Sequence, residues 1–258
     1  MIKFFFGEKN PLAQVKTYQI YYGPIEADER VALQKSDLVI VEPRHCTRET
    51  VRTLKQAKTL VYGYVSVMET PVWNEDRFRC LQPEDYLLID GQRRFFPEWD
   101  SYLMNLQNPS YQKLLLEEIH QQVIQKGMDG IFLDTVGDID EYVPEENRRR
   151  ALQNAYRSFL QKTLELDPRL SIIQNRGFDT LPWAREYIDG LLWEDWRGDL
   201  LHDEWVVQRL KLLEKYKRRR LKVLTVSASV HPVHKQAATR LGFVHLSAPL
   251  GYAALATD

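Results

Sequence analysis

The sequence predicts one α/β domain, a (β/α)8 barrel of the TIM type, on three observations. Eight short β-rich runs alternate with longer helical patterns along nearly the whole chain. Several of these runs are continuously apolar, among them Val39-Ile40-Val41 and Ile131-Phe132-Leu133, as strands covered on both faces are. The chain has 258 residues, and such a barrel commonly takes about 250 as a single domain. A doubly wound open sheet shares the alternation. Its Gly-rich phosphate fingerprint is missing, because Tyr22-Gly23-Pro24 after the first run is a plain turn.

The strands are predicted over residues 18–22, 38–42, 60–67, 130–134, 170–175, 191–194, 221–227 and 244–247. Helical patterns lie between them at 29–35, 47–57, 110–126, 145–166, 181–188, 203–218 and 232–241, the crossovers that parallel neighbours require. Thr47 is placed to cap the second helix. In the third, Leu114, Leu115, Ile119 and Val123 recur at helical spacing behind an Asn108-Pro109 start. Gly127 and Gly242 stand where helices should stop. Residues 68–107, between the third strand and its helix, break the rhythm. This insertion carries Trp73, Tyr86, Phe95, Phe96, Trp99 and Tyr102, with 103–106 as a candidate extra strand. Its aromatic content argues against disorder, and in a barrel it would overhang the C-terminal face, where active sites form.

Hydrophobic residues make up 44% and charged residues 28%, which fits a chain with a full core. Lys and Arg number 35 against 36 Asp and Glu, a formal net charge of −1. That balance gives no electrostatic reason to expect nucleic acid or an anionic membrane as partner. The basic run Lys215, Lys217, Arg218, Arg219, Arg220 is explained by the dipole of the helix it ends. No apolar run approaches the ~18 residues of a membrane span. Residues 1–6 are shorter than the ~7–15 of a signal-peptide core, so the protein either stays inside the cell or has lost a leader. Cys46 and Cys80 have no CxxC spacing, which leaves no zinc knuckle, disulfide scaffold or iron–sulfur cluster. His231-x-x-His234 lacks a third ligand at suitable spacing, so neither metal nor cofactor is expected.

The polar residues fall in a pattern. The second predicted strand ends at Glu42, the third reaches Ser66 and then Glu69, and the fourth ends Asp134-Thr135. The fifth ends Gln174-Asn175, the sixth Glu194-Asp195 and the seventh Ser227. Strands that end in acids and amides bring them together at one mouth of a barrel. A lone acid after a strand is often a helix cap, but the helix after Asp134 begins about ten residues later. Arg44 is near enough simply to pair Glu42, and Asp138 and Asp140 read equally well as substrate contacts or solvated turn residues. Asp195, next to Glu194 along a strand, should point the other way. A carboxylate pair without a metal signature suggests glycoside hydrolysis. Aromatics fit beside it, because sugar rings present apolar faces. Trp193 and Trp196 bracket Glu194, Trp73 and Trp99 lie in the insertion, and Trp183 and Trp205 fall on helical patterns that suggest core packing.

Tyr21-Tyr22-Gly23, the run from Asp37 to Glu42, Gly63-Tyr64-Val65-Ser66, Gly130-Ile131-Phe132-Leu133-Asp134-Thr135, Asn175-Arg176-Gly177 and Trp193-Glu194-Asp195 occur in one order. Together they resemble glycoside hydrolase family 114, the endo-α-1,4-polygalactosaminidase-like barrels, over most of the chain. The resemblance implies a (β/α)8 barrel that cuts α-1,4-linked galactosamine or N-acetylgalactosamine polysaccharide inside the chain, with retention. It carries the catalytic pair over as Asp134 and Glu194, to which we assign the roles of nucleophile and general acid/base. The substrate-binding set expected around them is Tyr22, Glu42, Tyr64, Ser66, Glu69, Asp138 and Asn175, with Trp73, Trp99, Trp193 and Trp196. Glu42, Glu69 and Asp138 would attract the cationic amine of a deacetylated unit. The family implies an extracytoplasmic setting; oligomeric state is left open. A non-catalytic carbohydrate-binding barrel and a metal-dependent polysaccharide deacetylase are the alternatives.

Overall fold

A computed structural model describes residues 10–217 and 221–256. Residues 1–6 and Arg218, Arg219 and Arg220, on which expectations rested, lie outside the described residues. Within them an eight-stranded parallel sheet curls nearly into a closed barrel. Its strands are β1 (Tyr18–Tyr21), β2 (Leu38–Val41), β3 (Leu60–Ser66), β4 (Gly130–Asp134), β5 (Ser171–Asn175), β6 (Gly190–Trp193), β7 (Lys222–Ser227) and β8 (Val244–Ser247). Seven connections carry helices: α1 (Ala27–Leu33), α2 (Arg48–Gln56), α3 (Pro109–Glu118), α4 (Glu146–Leu166), α5 (Leu181–Ala184), α6 (Glu204–Lys217) and α7 (Pro232–Arg240). Neighbours in sequence pair in space throughout, as right-handed βαβ crossovers dictate.

The predicted strands are all present, within a residue or two at their ends. Thr47 caps α2 by accepting from Thr50 N at 3.1 Å, and Asn108 caps α3 by accepting from Ser110 N at 3.2 Å. Gly127 and Gly242 take φ of 78° and 70°, the left-handed turn that stops a helix. Two helices differ from expectation. The third is α-helical only to Glu118 and continues as a π-helix over Ile119–Ile124. The fifth stops at Ala184 instead of 188, where a tight turn with Tyr187 N on Ala184 O (2.9 Å) buries Tyr187 and Ile188 before β6.

Alternation along each strand divides the core in two. Tyr18, Ile20, Leu38, Ile40, Tyr62, Phe132, Ile173, Leu192, Leu224, Val226, Val244 and Leu246 fill the barrel. Val39, Val41, Val61, Val65, Ile131, Leu133, Ile172, Leu191 and Val223 face outward into the layer under the helices. Leu12, fully buried, packs with the inner set from the N-terminal side. The seam between β1 and β8 is bridged by the segment after β8. Tyr22 N donates to Tyr252 O at 2.7 Å, and the Gln19 amide exchanges hydrogen bonds with the Ala256 backbone at 3.0 and 3.3 Å.

The insertion after β3 has its own three-stranded antiparallel sheet, Glu69–Pro71, Ser101–Leu103 and Phe95–Phe96. The extra strand thus lies at 101–103 instead of 103–106, because Leu103 and Ser101 are the residues that register with Glu69 and Pro71. Arg77 anchors the insertion from a buried position. It donates to Ser66 O (2.7 Å) and Glu69 O (3.2 Å) and pairs with Glu118 of α3 at 2.7 Å. Phe96 and Arg94 also pack on Tyr142, in the connection after β4.

Gly130 opens β4 on the inner face, opposite Tyr62 in the register. A Cβ there would press on the Tyr62 ring and on Ser171 O of β5. Gly130→Ala is therefore expected to lower unfolding stability by about 1–3 kcal/mol, the usual cost of overpacking, measured by urea denaturation. A variant as stable as the parent would show that this layer of the barrel can relax.

Candidate active site

Inner-face parity selects the groups at the C-terminal mouth. Along β4, Phe132 and Asp134 point inward; along β6, Leu192 does, and Glu194, just past the strand, follows. The same rule aims Asn175 of β5, Glu42 after β2, Tyr64 and Ser66 of β3 and Tyr22 after β1. The register places Gln174 beside Leu133 and Ser66 beside Asp134, so β3, β4 and β5 deliver their last inward residues side by side.

Asp134, Asn175 and Glu194 are each followed by a non-glycine residue in left-handed backbone: Thr135 at φ 61°, Arg176 at 50° and Asp195 at 55°. A β-branched residue such as Thr135 rarely adopts this conformation, so its cost must be offset locally. The Thr135 hydroxyl accepts from Met68 N (2.8 Å) and Val67 N (3.2 Å) and donates to Asp134 O at 2.7 Å. Arg176 N donates to Leu192 O at 2.9 Å. These kinks turn the chain sharply away after each key residue, which leaves all three at the rim.

One amide nitrogen joins the two acids. Asn175 Nδ2 donates to Asp134 Oδ1 at 2.6 Å and to Glu194 Oε2 at 2.7 Å, so these oxygens lie within 5.3 Å of each other. With the two amide hydrogens about 120° apart, the separation is about 4.6 Å. Asp134 Oδ1 also accepts from Thr135 N at 2.8 Å, and the Tyr64 hydroxyl adds a further hydrogen bond. Glu194 Oε1 accepts from Tyr252 OH at 2.6 Å. Burial raises both carboxyls above their ordinary range, and Asp134's charge pushes Glu194 up further. The donors oppose this on both sides, three on Asp134 and two on Glu194.

A second acidic pair borders the first. Glu69, on the first strand of the insertion, is buried with Asp138, at the start of the short helix Asp138–Glu141. The two share a hydrogen bond, and the Ser101 hydroxyl donates to Glu69. Burial and then Glu69's charge raise Asp138 far above the usual carboxylate range, and burial raises Glu69 as well. Asp138 Oδ2 is buried with no partner of its own. Glu42, likewise raised by burial, accepts from Arg44 N at 3.2 Å as the cap of the turn Pro43–His45.

Several expected residues play other parts. Trp193 follows an inward residue and therefore faces outward, buried edge-on against Phe178, Trp196 and Trp205. Trp196 is 1% exposed, with its indole N–H on His234 O at 3.0 Å. Neither ring can lie against a sugar at the mouth, and the parity argument that set Asp195 aside applies equally to Trp193. Ser66 is buried and pairs with the Thr135 hydroxyl at 3.1 Å, bracing the kink. Asp140 accepts from Asp179 N and Thr180 OH, a structural pin between two connections. Trp73 is half-exposed with Arg44 over its ring at 5.5 Å, which sets it near the end of β2. Trp99 is exposed in the turn between 95–96 and 101–103. Trp183 and Trp205 each stay 43% exposed, so core packing describes them only in part. His231 caps α7, while His234 Nδ1 accepts from Gly198 N at 3.0 Å.

Sequence reasoning missed Tyr252. Its ring meets Tyr22 edge-on at 5.4 Å, and Tyr22 in turn packs on Tyr64 at 4.8 Å. The available signal was an aromatic residue five positions beyond the last barrel strand, in a connection at the same end as those that carry Tyr22, Glu42 and Glu194.

Residues 7–228 match the family model of the glycoside-hydrolase family GH114. No protein of curated function matches by sequence. Among solved structures, the fold is similar to the glycoside hydrolase domain of PelA from Pseudomonas aeruginosa (TM-score 0.74, 19% identity, 94% of this chain and 98% of that one). It is also similar to Ega3 of Aspergillus fumigatus, solved with galactosamine (TM-score 0.67, 16% identity, 90% and 91%). A maltogenic α-amylase, AmyB of Thermotoga neapolitana, shares the fold more distantly (TM-score 0.56, 15% identity, 84% and 59%).

Carboxyls held above their ordinary range favour the fold at low pH and lose that contribution as pH rises through their raised values. Asp134→Asn and Glu194→Gln each remove one of two close charges. Each is expected to raise the melting temperature at pH 7–8 by a few degrees, with the gain shrinking near pH 4. Calorimetry across this range checks it. A gain that grew toward acid pH would reverse the sign of the argument.

Proposed function

We propose, from the premise that this chain belongs to the glycoside-hydrolase family GH114 and is a glycosidase, that Asp134 and Glu194 are its catalytic pair and act with retention. The observation that carries this reading is the single Asn175 nitrogen between the two carboxylates at 2.6 and 2.7 Å. Retaining enzymes hold their carboxyl groups ~5–5.5 Å apart, whereas inverting ones leave ~6.5–9.5 Å for a water. The shared amide supports the shorter class.

The roles follow from the donors. Asp134, with three hydrogen bonds to its charged form, stays ionised and attacks the anomeric carbon as the glycosidic bond breaks. Glu194, raised by burial and by the Asp134 charge, protonates the leaving oxygen. A water then enters, Glu194 takes its proton as the water oxygen bonds to the anomeric carbon, and the bond from Asp134 to the sugar breaks, returning Asp134 as a carboxylate. Both carboxyls are only half-buried, so a polymer can reach them at the mouth.

The substrate we infer is a galactosamine-type polysaccharide cut within the chain; galactosamine, the monomer of such a polymer, is the ligand solved with Ega3. A deacetylated unit carries an ammonium group. The Glu69–Asp138 pair, with its unpartnered Asp138 oxygen, and Glu42 give the rim beside β2–β4 the complementary charge. The insertion at 68–107 forms one wall of this cleft in our reading, because it supplies Glu69 and carries Trp73 beside Arg44. A polymer of this kind also fits action outside the cytoplasm.

Asp134→Asn and Glu194→Gln are expected to lower turnover of α-1,4-galactosamine polymers at least ~10³-fold while the fold survives. Proton NMR of the first product should show the α-anomer. An initial β-product would mean inversion, and binding without turnover by the parent protein would favour the carbohydrate-binding alternative. Trp73→Ala is expected to raise KM severalfold with little change in kcat. An unchanged KM would remove Trp73, and with it part of the insertion, from the cleft.

A further inference from the structure

The segment after β8 turns back over the mouth. Ala248 N donates to Ser227 O at 2.8 Å, Gly251 N to Ala248 O at 3.1 Å, and Gly251 takes φ 71° to complete the turn. Tyr252 is then fixed twice, by Tyr22 N on its carbonyl at 2.7 Å and by the edge-on contact with the Tyr22 ring. Gly23 leaves room for this return, since a Cβ there would meet Ala253 O at 3.2 Å. The region that matches the family ends at residue 228, so Tyr252 lies beyond it.

We propose that Tyr252 is a positioning residue that selects Glu194 Oε1 as the oxygen that delivers and recovers the catalytic proton; this rests on the acid/base role proposed for Glu194. The two oxygens of Glu194 have unlike partners. Oε2 meets the Asn175 Nδ2, a nitrogen that can only donate and so disfavours a hydrogen there. Oε1 meets a phenol, which can donate or accept and therefore tolerates a proton on its partner. When that proton passes to the leaving oxygen, Tyr252 donates to the carboxylate left behind. The O···O distance of 2.6 Å is that of a charge-assisted hydrogen bond. Tyr252 keeps its own hydrogen, because burial and the Glu194 charge raise the phenol well above its ordinary range. The other groups facing Glu194 are Asp134 of β4, Asn175 of β5, Tyr18 of β1 and Tyr22 after it, with Asp195 adjacent in the chain.

The test is Tyr252→Phe, which keeps the ring and removes one oxygen. Three measurements are made on it: thermal melting, the pH profile of kcat and kcat/KM on an α-1,4-galactosamine oligomer, and ¹³C NMR titration of the Glu194 carboxyl in the free protein. A donor to the carboxylate favours its charged form, so its removal should move the basic limb of kcat/KM and the Glu194 titration upward, by roughly half a pH unit or more. The melting temperature should stay within a few degrees, kcat should fall about tenfold or more, and KM should change little. An unmoved Glu194 titration overturns the proposal, whatever happens to activity. So does a loss confined to KM. If the parent protein does not turn the oligomer over, the proposed function fails on its own. The Glu194 titration then still decides whether Tyr252 controls that carboxyl.

Discussion

Two carboxylates within about 5 Å of each other at the mouth of an apolar barrel repel, and the Asn175 amide is the group that makes their approach tolerable. It offers one hydrogen to each acid and so fixes both their distance and their relative orientation. The remaining donors break the symmetry. Among the described residues, Thr135 N and Tyr64 serve Asp134, while Tyr252 joins Asn175 at Glu194. Burial raises both carboxyls, and the donors oppose that rise on each, with Asp134's own charge adding to it only at Glu194.

The scaffold around this amide explains why it can be so placed. β4, β5 and β6 lie side by side, and each ends its inward series with one member of the trio. The left-handed residue after each member turns the chain away before it can cover the site. Such backbone is costly, and here it is stabilised by the Thr135 hydroxyl, by Ser66 and by Arg176 N on Leu192 O. The strain and the burial of like charges fall in one place, beside the Asp134, Asn175 and Glu194 side chains. The barrel wall below, filled by Tyr62, Phe132 and Leu192, supplies the rigidity that holds them there.

The periphery is tied to the mouth by long-range polar contacts. Arg77 is buried with Glu118 and holds the insertion to the end of β3, so Glu69 reaches Asp138 across two connections. Buried ion pairs of this kind do little for net stability, but they fix geometry when every donor is used. At the opposite side, the seam between β1 and β8 is bridged by the chain that brings Tyr252 to Glu194. One segment thus both bridges the barrel seam and completes the hydrogen bonding of Glu194.

The sequence by itself determined the eight strands, their order and which residues end them, because continuous apolar runs and helix stops are local signals. It also determined that Asp134, Asn175, Glu42 and Glu194 share a face, since inward and outward residues alternate strictly along a strand. Applied to its end, the same alternation turns Trp193 outward, although proximity to Glu194 in the chain suggested a sugar platform. Tertiary structure alone decided the rest. Trp196 is buried because its indole finds His234 O, 38 residues away in the chain. Tyr252 reaches Glu194 over a separation of 58 residues only because the sheet curls until its last connection meets its first. Glu69 and Asp138 meet only because an inserted sheet folds back beside β4. Periodicity carries information over a few residues, whereas hydrogen bonds between distant segments depend on how the whole barrel closes.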